Sequence, residues 1–304
     1  MVGISVIICA HNPPPDYLGL TLEGLKAQTL PKAQWELLLI DNGSAKPLSS
    51  MADISWHSQA RHVREDQLGL THARLRGIRE SSGGLLVFVD DDNVLASNYL
   101  AEAESIARDW PKLGAWGGQL EPRFELEGEL PEWKRALWTG TISRDLWSNC
   151  YDRQATPAGA GLCIRRLVLE RYAELTRTDP LRVKLGRVGT TLNSSEDIDM
   201  AFVACDLGLG TGRFVALKLA HLIPQSRVAD EYLLRLVEGY GYSDAILESL
   251  RGGRPGLSRI DRLVEVYKNI RGHMPKQQRL LRAAAFRGRA RAARELLLSN
   301  TGGQ

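Results

Sequence analysis

Three consecutive aspartates, Asp90 to Asp92, follow an apolar run in the segment FVDDDN. Adjacent carboxylates repel one another unless solvent or a bound cation offsets their charge. An EF-hand is excluded, because the segment lacks both the glycine and the closing glutamate of that calcium loop. Oxygen ligands alone favour Mg²⁺ or Mn²⁺, which commonly hold substrate phosphates beside one or two carboxylates. The triplet therefore predicts a divalent-cation site for a phosphorylated ligand.

Two further polar pairs also follow apolar runs, namely His11-Asn12 after residues 4–10 and Asp41-Asn42 after residues 35–40. In an open parallel sheet, the carboxyl ends of the strands lie at the edge where ligands bind. Asp, Asn and Gly are also common turn residues, so the Asp41 pair alone is as typical of a turn as of a site. The three clusters together favour one shared ligand site.

The elements that would position these clusters alternate between strand and helix patterns. After the first run, three leucines recur at helical spacing, and a second helix pattern over 70–80 precedes the apolar run 85–89. A further strand is predicted near residues 54–57. This alternation predicts an α/β fold with a doubly wound, mostly parallel sheet and right-handed crossovers.

Beyond Asp92 the pattern is more irregular. The predicted elements are a helix over 99–108, a strand over 115–120, a Trp-rich loop through Trp147, a short strand over 162–164, an aperiodic segment over 176–195, a helix over 197–207, a turn over 208–212 and a strand over 214–219. From residue 227 onward the sequence predicts helices interrupted at Gly252-Gly253 and at Gly272.

Two later features each have a structural and a functional interpretation. Glu196 and Asp197 open a predicted helix, where the helix dipole and capping favour carboxylates whatever their function. His221 follows the predicted strand, where its imidazole could bind Mn²⁺ or simply make an ordinary hydrogen bond.

Glycines 208, 210 and 212 imitate part of a dinucleotide-binding fingerprint. They follow a predicted helix and precede a predicted strand, whereas that fingerprint needs the reverse order. They are interpreted as a turn, which argues against a dehydrogenase.

Composition excludes several classes of protein. A net charge of +3 over 304 residues is too small to indicate nucleic-acid binding. The four cysteines form no CxxC pair, which disfavours a zinc site or a disulfide framework. Without a basic leader or an apolar stretch of about 20 residues, the sequence predicts a cytoplasmic protein.

Residues 276–298 carry seven Lys and Arg side chains and a roughly one-sided set of apolar residues. Two interpretations of this basic amphipathic helix stay open. It could bind an anionic membrane surface, or it could pack against the catalytic domain with a solvated basic face. Gly288 weakens the helix prediction.

At this point a family resemblance becomes visible. The segments SVIICAHN, LLLIDNGS, GLTHARLRGI and FVDDDN resemble, in order and spacing, the signature segments of family-two glycosyltransferases of the GT-A fold, over about residues 4 to 250. Further on, PAGAGLCIRR, SSEDIDMAF and LAHLIP followed by YLLRLVEGYG are similar to the second half of bacterial family-two enzymes that assemble surface polysaccharides.

The resemblance implies inverting transfer of a sugar from a nucleotide-diphosphate donor, with UDP favoured, to a glycan or lipid-linked glycan. Asp197 would be the general base, Glu196 would contact the acceptor, and Asp41 would contact the nucleotide base. The metal, Mn²⁺ or Mg²⁺, would be bound by Asp92, Asp90 and His221. The implied donor-binding residues are Ala10, His11, Asn12, Asp41, Gly69, Arg74, Asp90, Asp91 and Asp92.

His11 departs from the Thr-Tyr or Ser-Tyr usual before the Asn, which leaves the contact at that position open. The implied domains are a GT-A catalytic domain over 1–226 and a helical region over 227–304. Residues 1–120 would bind the nucleotide sugar, and 121–226 would form the acceptor side. Binding of 276–298 to anionic lipid would place the protein at the inner face of the cytoplasmic membrane.

Two other functions stay open. A sugar-1-phosphate nucleotidyltransferase would keep the nucleotide and the metal. Such enzymes usually have a Gly-rich loop with basic residues directly after the first strand, whereas this chain has HNPPP there. A non-catalytic glycan-binding module is the second alternative. The intact Asp90, Asp92 and Asp197 argue against it.

Overall fold

The computed structural model describes residues 3–126, 128–253 and 275–301. The chain forms two compact units, and each consists of two segments. The first unit comprises Met1–Arg177 and Asp197–Gln225, and the second comprises Thr178–Glu196 and Ser226–Gln304. Within the described residues, no helix has the combination of length and apolar character needed to cross a bilayer.

One sheet organises the first unit. Its strands are β1 (Ile4–Ala10), β2 (Trp35–Asn42), β3 (Ala60–Glu65), β4 (Leu85–Asp90), β5 (Asn93–Leu95), β6 (Leu113–Phe124), β7 (Leu146–Ser148), β8 (Leu162–Arg165) and β9 (Gly210–Ile223). Their order is β3-β2-β1-β4-β8-β6-β9-β5, with β7 beside β9. The first four strands of this order are parallel, and β8 is antiparallel to both of its neighbours.

Helices cover both faces of this sheet. They are α1 (Pro15–Lys26), α2 (Leu70–Glu80), α3 (Tyr99–Asp109), α5 (Arg166–Thr178) and α6 (Glu196–Asp206), while the short helix α4 (Glu132–Arg135) buries no residue. Apolar residues of α1 and α3 pack with one face of β1, and those of α2, α5 and α6 pack with the other. Because successive β1 side chains point to opposite faces, the continuous apolar run ISVIICA supplies both cores. The predicted doubly wound, mostly parallel α/β fold is confirmed.

The predicted strand near residues 54–57 is wrong. Strand β3 lies at Ala60–Glu65 instead, and the ring of His57 packs 4.2 Å from that of Trp35, measured between centroids. Strand β3 is at the edge of the sheet, and Val63 is its only buried residue. An edge strand needs no apolar run, because its backbone pairing with β2 holds it in place.

Several strand ends also differ from prediction. Strands β2 and β4 continue through Asp41-Asn42 and Asp90, and β6 continues to Phe124. Strand β9 pairs with β6 over most of its length, so the glycines interpreted as a turn lie largely within it. His221 is therefore inside β9 rather than after it. Helix α5, α4 and β7 were not predicted.

The second unit contains two long helices, α7 (Asp230–Leu250) and α8 (Lys276–Thr301). The backbones approach so closely that a Cβ on Gly288 would lie 1.9 Å from the Glu238 carbonyl oxygen. Gly288 therefore permits the contact without ending α8. Guanidinium groups of α8 pair with carboxylates of α7, namely Arg287 and Arg291 with Glu238, and Arg289 with Glu248. The predicted break at Gly272 falls outside the described residues.

Candidate active site

Asp41 accepts hydrogen bonds from three residues at the carboxyl end of β2. Its Oδ1 accepts the Ser44 N–H at 2.9 Å, and its Oδ2 accepts bonds from the Leu48 N–H at 3.2 Å and from Arg64 Nη1 at 2.8 Å. Burial would raise the pKa of Asp41, but the bonds from Ser44, Arg64 and Leu48 outweigh it and hold the pKa below its usual value. The side chain is thus an ionised acceptor at the sheet edge.

The loop after β1 is tied to the loop after β2. Nδ1 of His11 lies 2.7 Å from the Asn42 carbonyl oxygen, so it carries the proton. Nε2 is then the acceptor for the Asn12 amide at 3.0 Å. Oδ1 of Asn12 also accepts a hydrogen bond from the Ala45 N–H. Asn12 has a left-handed φ of 49°, which Asn tolerates better than most residues. Both ring nitrogens of His11 are therefore engaged, and the exposed ring still presents a face on which a ligand could stack.

Gly69 precedes α2 and is fixed by Asn42. Its N–H donates to Asn42 Oδ1 at 2.8 Å, while the Asn42 amide donates to the carbonyls of Glu65 and Gln67. The φ of Gly69 is 130°, a conformation that L side chains rarely adopt. This network joins the ends of β2 and β3 to the start of α2, and Arg74 lies on the second turn of that helix.

The aspartate triplet lies at the same sheet edge, two strands from Asp41. Ala10 pairs with Asp41 and its neighbour Cys9 pairs with Asp90, which separates the two aspartate backbones by about 10 Å at ordinary strand spacing. Asp90 ends β4, while Asp91 and Asp92 form the turn into β5. The edge therefore carries two acidic positions at a separation that a nucleoside diphosphate can span.

Asp92 faces His221 across the β5–β9 pair. Oδ1 of Asp92 accepts the Asn93 amide at 2.9 Å, and Oδ2 lies 3.6 Å from His221 Nε2. Asn93 is paired with His221 in the antiparallel register, and the ring of Trp138 lies 5.7 Å from that of His221. The strand pairing thus brings the predicted metal ligand His221 to Asp92.

This pair fits a divalent cation that also binds substrate. Two ligands each about 2.1 Å from one ion can be up to about 4.2 Å apart, which admits the 3.6 Å separation of Asp92 and His221. No cluster of three His, Cys, Asp or Glu side chains suited to a metal occurs in the described parts of the chain. The pair would hold the ion only with phosphate and water as further ligands.

Asp90 pairs with a buried guanidinium instead of with the Asp92–His221 pair. Arg74 Nη2 lies 3.4 Å from Asp90 Oδ1, and the Arg74 side chain is 3% exposed. Its guanidinium carbon is 5.4 Å from the centre of the Phe88 ring. Arg74 is therefore a fixed positive charge below the sheet edge rather than the solvated helix residue that its position alone would allow.

Asp197 comes to the same place from α6. Its Oδ1 accepts the Ile198 N–H at 2.8 Å, and its Oδ2 accepts the Gly159 N–H at 2.7 Å. Asp197 Oδ2 and Arg74 Nη2 each lie 3.0 Å from the point that a Cβ on Gly159 would occupy, so they are at most twice that distance, 6.0 Å, apart. Glu196, the first residue of α6, is 3% exposed.

The sequence did not identify Arg64 or Gly159 as site residues. Arg64 was missed because the third strand was predicted in the wrong place. Its guanidinium reaches Asp41 because β3 pairs with β2. Gly159 lies in the tract PAGAG, which predicts a loop. The tract does not predict the contact of Gly159 with Asp197, 38 positions away. The functional signal for Gly159 lies in tertiary contact alone.

Residues 5–145 match the family model described as Glycosyl transferase family 2. Glycosyltransferase AglE of Haloferax volcanii is 33% identical over 92 residues, which cover 29% of this chain and 30% of that protein. An N-acetylglucosaminyltransferase of Bradyrhizobium diazoefficiens is 26% identical over 168 residues, which cover 53% of this chain and 32% of that protein. The matched regions span about a third of the length of these two relatives.

Solved structures share the fold. The mannosyltransferase PcManGT from Pyrobaculum calidifontis, in complex with GDP-Man and Mn²⁺, superposes with a TM-score of 0.58 at 19% identity, covering 98% of this chain and 79% of that one. S. aureus TarS 1-349 superposes with a TM-score of 0.50 at 13% identity, covering 100% of this chain and 92% of that one. At such identities the likeness establishes the GT-A fold and nothing finer.

Proposed function

We propose that this chain, which carries a glycosyl transferase family 2 domain over residues 5–145, transfers a sugar from a nucleoside-diphosphate donor to an acceptor hydroxyl with inversion. One observation carries the proposal. A carboxylate suited to take a proton, Asp197, lies within 6.0 Å of Arg74, whose guanidinium in turn contacts Asp90 of the aspartate triplet. A proton acceptor and a charge-stabilising edge therefore lie close together.

The donor's base would bind beside Asp41 and the face of the His11 ring. The ionised Asp41 carboxylate would accept the ring N–H of uracil, the base of the UDP donor proposed here. Ala10, Asn12 and Gly69 shape this part of the site through backbone positions that the loop network fixes. PcManGT is bound to GDP-Man, so a guanine nucleotide belongs in the same test.

The diphosphate would extend from Asp41 toward Asp92 along the sheet edge. Asp92 and His221 would hold Mn²⁺ or Mg²⁺, which would supply Lewis-acid charge to stabilise the leaving diphosphate. Arg74 adds a fixed positive charge that needs no reorganisation as the glycosidic bond breaks. Asp90 holds the Arg74 guanidinium in place and keeps its charge at this edge.

Asp197 would act on the acceptor. As the acceptor oxygen bonds to the anomeric carbon, its proton passes to the Asp197 carboxylate, and the bond from that carbon to the diphosphate oxygen breaks on the opposite side. One displacement of this kind inverts the anomeric configuration. Glu196, which is 3% exposed, is proposed to contact the acceptor.

The acceptor is proposed to be a glycan or a lipid-linked glycan, and the enzyme is proposed to work in the cytoplasm. Exposed basic residues at Lys276, Arg279 and Arg294 and the exposed Leu297 and Leu298 support contact with an anionic membrane. Helix α8 packs on α7 while these side chains stay exposed, so this packing is compatible with membrane contact.

Incubation with a panel of UDP and GDP sugars in Mn²⁺, followed by analysis of the released nucleotide, tests this function. Release of nucleoside diphosphate and a glycosylated acceptor is expected. In a parallel incubation with UTP or GTP and a sugar 1-phosphate, release of pyrophosphate would instead identify a nucleotidyltransferase. Binding without any release would identify a non-catalytic module. Either of these results overturns the proposal.

A further inference from the structure

Gly159 lies where the charged groups of the proposed reaction approach each other. Its N–H donates to Asp197 Oδ2 at 2.7 Å, and a Cβ at this position would contact both Asp197 and Arg74. We propose that Gly159 is a positioning residue, whose backbone N–H orients the Asp197 carboxylate and whose missing side chain keeps that space open. This inference rests on the proposed function, because it takes Asp197 as the base.

The two hydrogen bonds to Asp197 have different origins. The Ile198 N–H that reaches Oδ1 belongs to the same helix and moves with it. The Gly159 N–H comes from the loop before β8 and reaches Oδ2. An N–H donor to a carboxylate makes a short, charge-assisted bond of above-average strength. The Gly159 bond is therefore the one that sets the carboxylate relative to the sheet.

Steric space explains why a glycine stands here. Gly159 is absent from the positive-φ glycines among the described residues, so its backbone conformation is open to other residues. A Cβ, however, would lie 3.0 Å from Asp197 Oδ2, 3.0 Å from Arg74 Nη2 and 3.1 Å from Asp197 Cβ. Contacts of this length force a neighbour to move, and the neighbours here are the base and the guanidinium.

The loop has little freedom to withdraw from these neighbours. The hydroxyl of the fully buried Tyr99 donates to the Gly161 carbonyl at 2.6 Å. On the other side of Gly159, Pro157 packs so closely on Gly117 that a Cβ on Gly117 would lie 2.9 Å from Pro157 Cβ. The Arg74 guanidinium is buried and held by Asp90 and the Phe88 ring. Because the loop and the guanidinium are both held, a methyl group on residue 159 displaces the Asp197 carboxylate.

Kinetics of Gly159→Ala test the inference, with Gly84→Ala as the matched control. Gly84 has no left-handed φ, and a Cβ added there would have no neighbouring atom within 4 Å. We expect kcat of Gly159→Ala to fall by about 10- to 100-fold, as small misplacements of reacting groups do, with nucleoside-diphosphate affinity unchanged. In an Asp197→Asn background the same substitution should cost nothing further, because the residue acts through Asp197. Equal losses in both backgrounds, or none in either, overturn the inference.

A spectroscopic measurement tests the contact without any activity. In full-length protein labelled with ¹⁵N-glycine, the Gly159 amide is the resonance lost in Gly159→Ala. Because a carboxylate acceptor deshields an amide proton, Asp197→Ala should move this resonance upfield, with the Gly84 resonance unmoved. An unmoved Gly159 resonance overturns the inference. A resonance that moves in a protein that transfers no sugar overturns the proposed function instead.

Discussion

Nε2 of His221 lies 3.6 Å from Oδ2 of Asp92, across the antiparallel pair of β5 and β9. The pair is built by strands, whose register fixes the separation of the two side chains more firmly than a loop would. His221 was predicted as a metal ligand from its place after a strand, and cross-strand pairing brings it close to Asp92 of the aspartate triplet.

Donor binding should therefore depend on a divalent cation at this pair. Asp92→Ala should weaken the affinity for UDP or GDP in Mn²⁺ by at least about 100-fold, since even second-shell changes cost about 10- to 100-fold in metal affinity. Calorimetry with and without chelator measures the affinity, and electron paramagnetic resonance counts bound Mn²⁺. Asp109→Ala, which removes a surface carboxylate paired with Arg108, is the control. Full affinity under chelation together with an unchanged Asp92→Ala would show that the metal assignment is wrong.

Asp197→Asn should impair transfer and spare donor binding. The substitution removes the proton-accepting carboxylate, and loss of a positioned general base typically lowers the rate by roughly 10²- to 10⁴-fold. Single-turnover kinetics measure transfer, and product NMR reports the anomeric configuration, which should be inverted in the wild type. A near-normal rate in the variant, or retention in the wild type, contradicts the assignment of the base.

Glu36 should stabilise the fold in a pH-dependent way, away from the ligand edge. Burial would raise the pKa of Glu36, but bonds from Ser82, Ser5 and Arg61 outweigh it and hold the pKa below its ordinary value of 4.5. The ionised carboxylate therefore contributes its full stability above pH 4.5, and the contribution declines as the pH falls through the lowered pKa.

Glu36→Gln should accordingly lower the free energy of unfolding near neutral pH by roughly 2 kcal/mol, the scale of hydrogen bonds to a charged group. Urea unfolding near neutral pH and again well below pH 4.5 measures this difference, which should shrink in acid. Glu23→Gln, in an exposed pair with Lys26, should change little at either pH. A loss that grows in acid has the wrong sign for this explanation.

The exposed basic residues of α8 should govern membrane association without affecting chemistry. Replacing Lys276, Arg279 and Arg294 by Gln should reduce sedimentation with anionic liposomes at low salt, because the attraction is electrostatic and is screened at high salt. A control with the same loss of charge replaces residues of the first unit, namely Lys26, Arg79 and Arg108. Equal losses in both triple variants, or a wild type that ignores the liposomes, would refute a membrane role for α8.

Several elements with an apolar pattern were predicted from the sequence, although the amphipathic helix α5 was missed, and strand β3, which is fixed by pairing, was misplaced. Strand β1 and helix α2 have the predicted bounds, because continuous or helical apolar spacing records burial directly. Strand β3 has a single buried residue, so its place depends on the backbone of β2, which no local pattern encodes.

The residues of the candidate site likewise fall into those that the sequence predicted and those that only tertiary contacts show. Asp41, Asp90 and Asp92 follow buried strands, and sequence order alone placed them at one edge. Arg64 bonds to Asp41 from 23 residues away, and Gly159 bonds to Asp197 from 38 residues away. Both contacts depend on the tertiary positions of the edge strand β3 and of the loop before β8. Residue type predicted which groups carry charge, while tertiary packing decides which donors hold them.

The chain passes from the first unit to the second at Arg177–Thr178, returns at Glu196–Asp197, and leaves again at Gln225–Ser226. The second unit is consequently not a detachable tail, and a single recombination crossover near residue 226 would separate 178–196 from its own partners. An exchange of this unit between related genes would need two separate segments, 178–196 and 226–304, to be replaced together. The return point lies directly before Asp197, so one of the required junctions falls at the residue proposed to accept the proton. Such an exchange is constrained at the base itself, which favours inheritance of both units together.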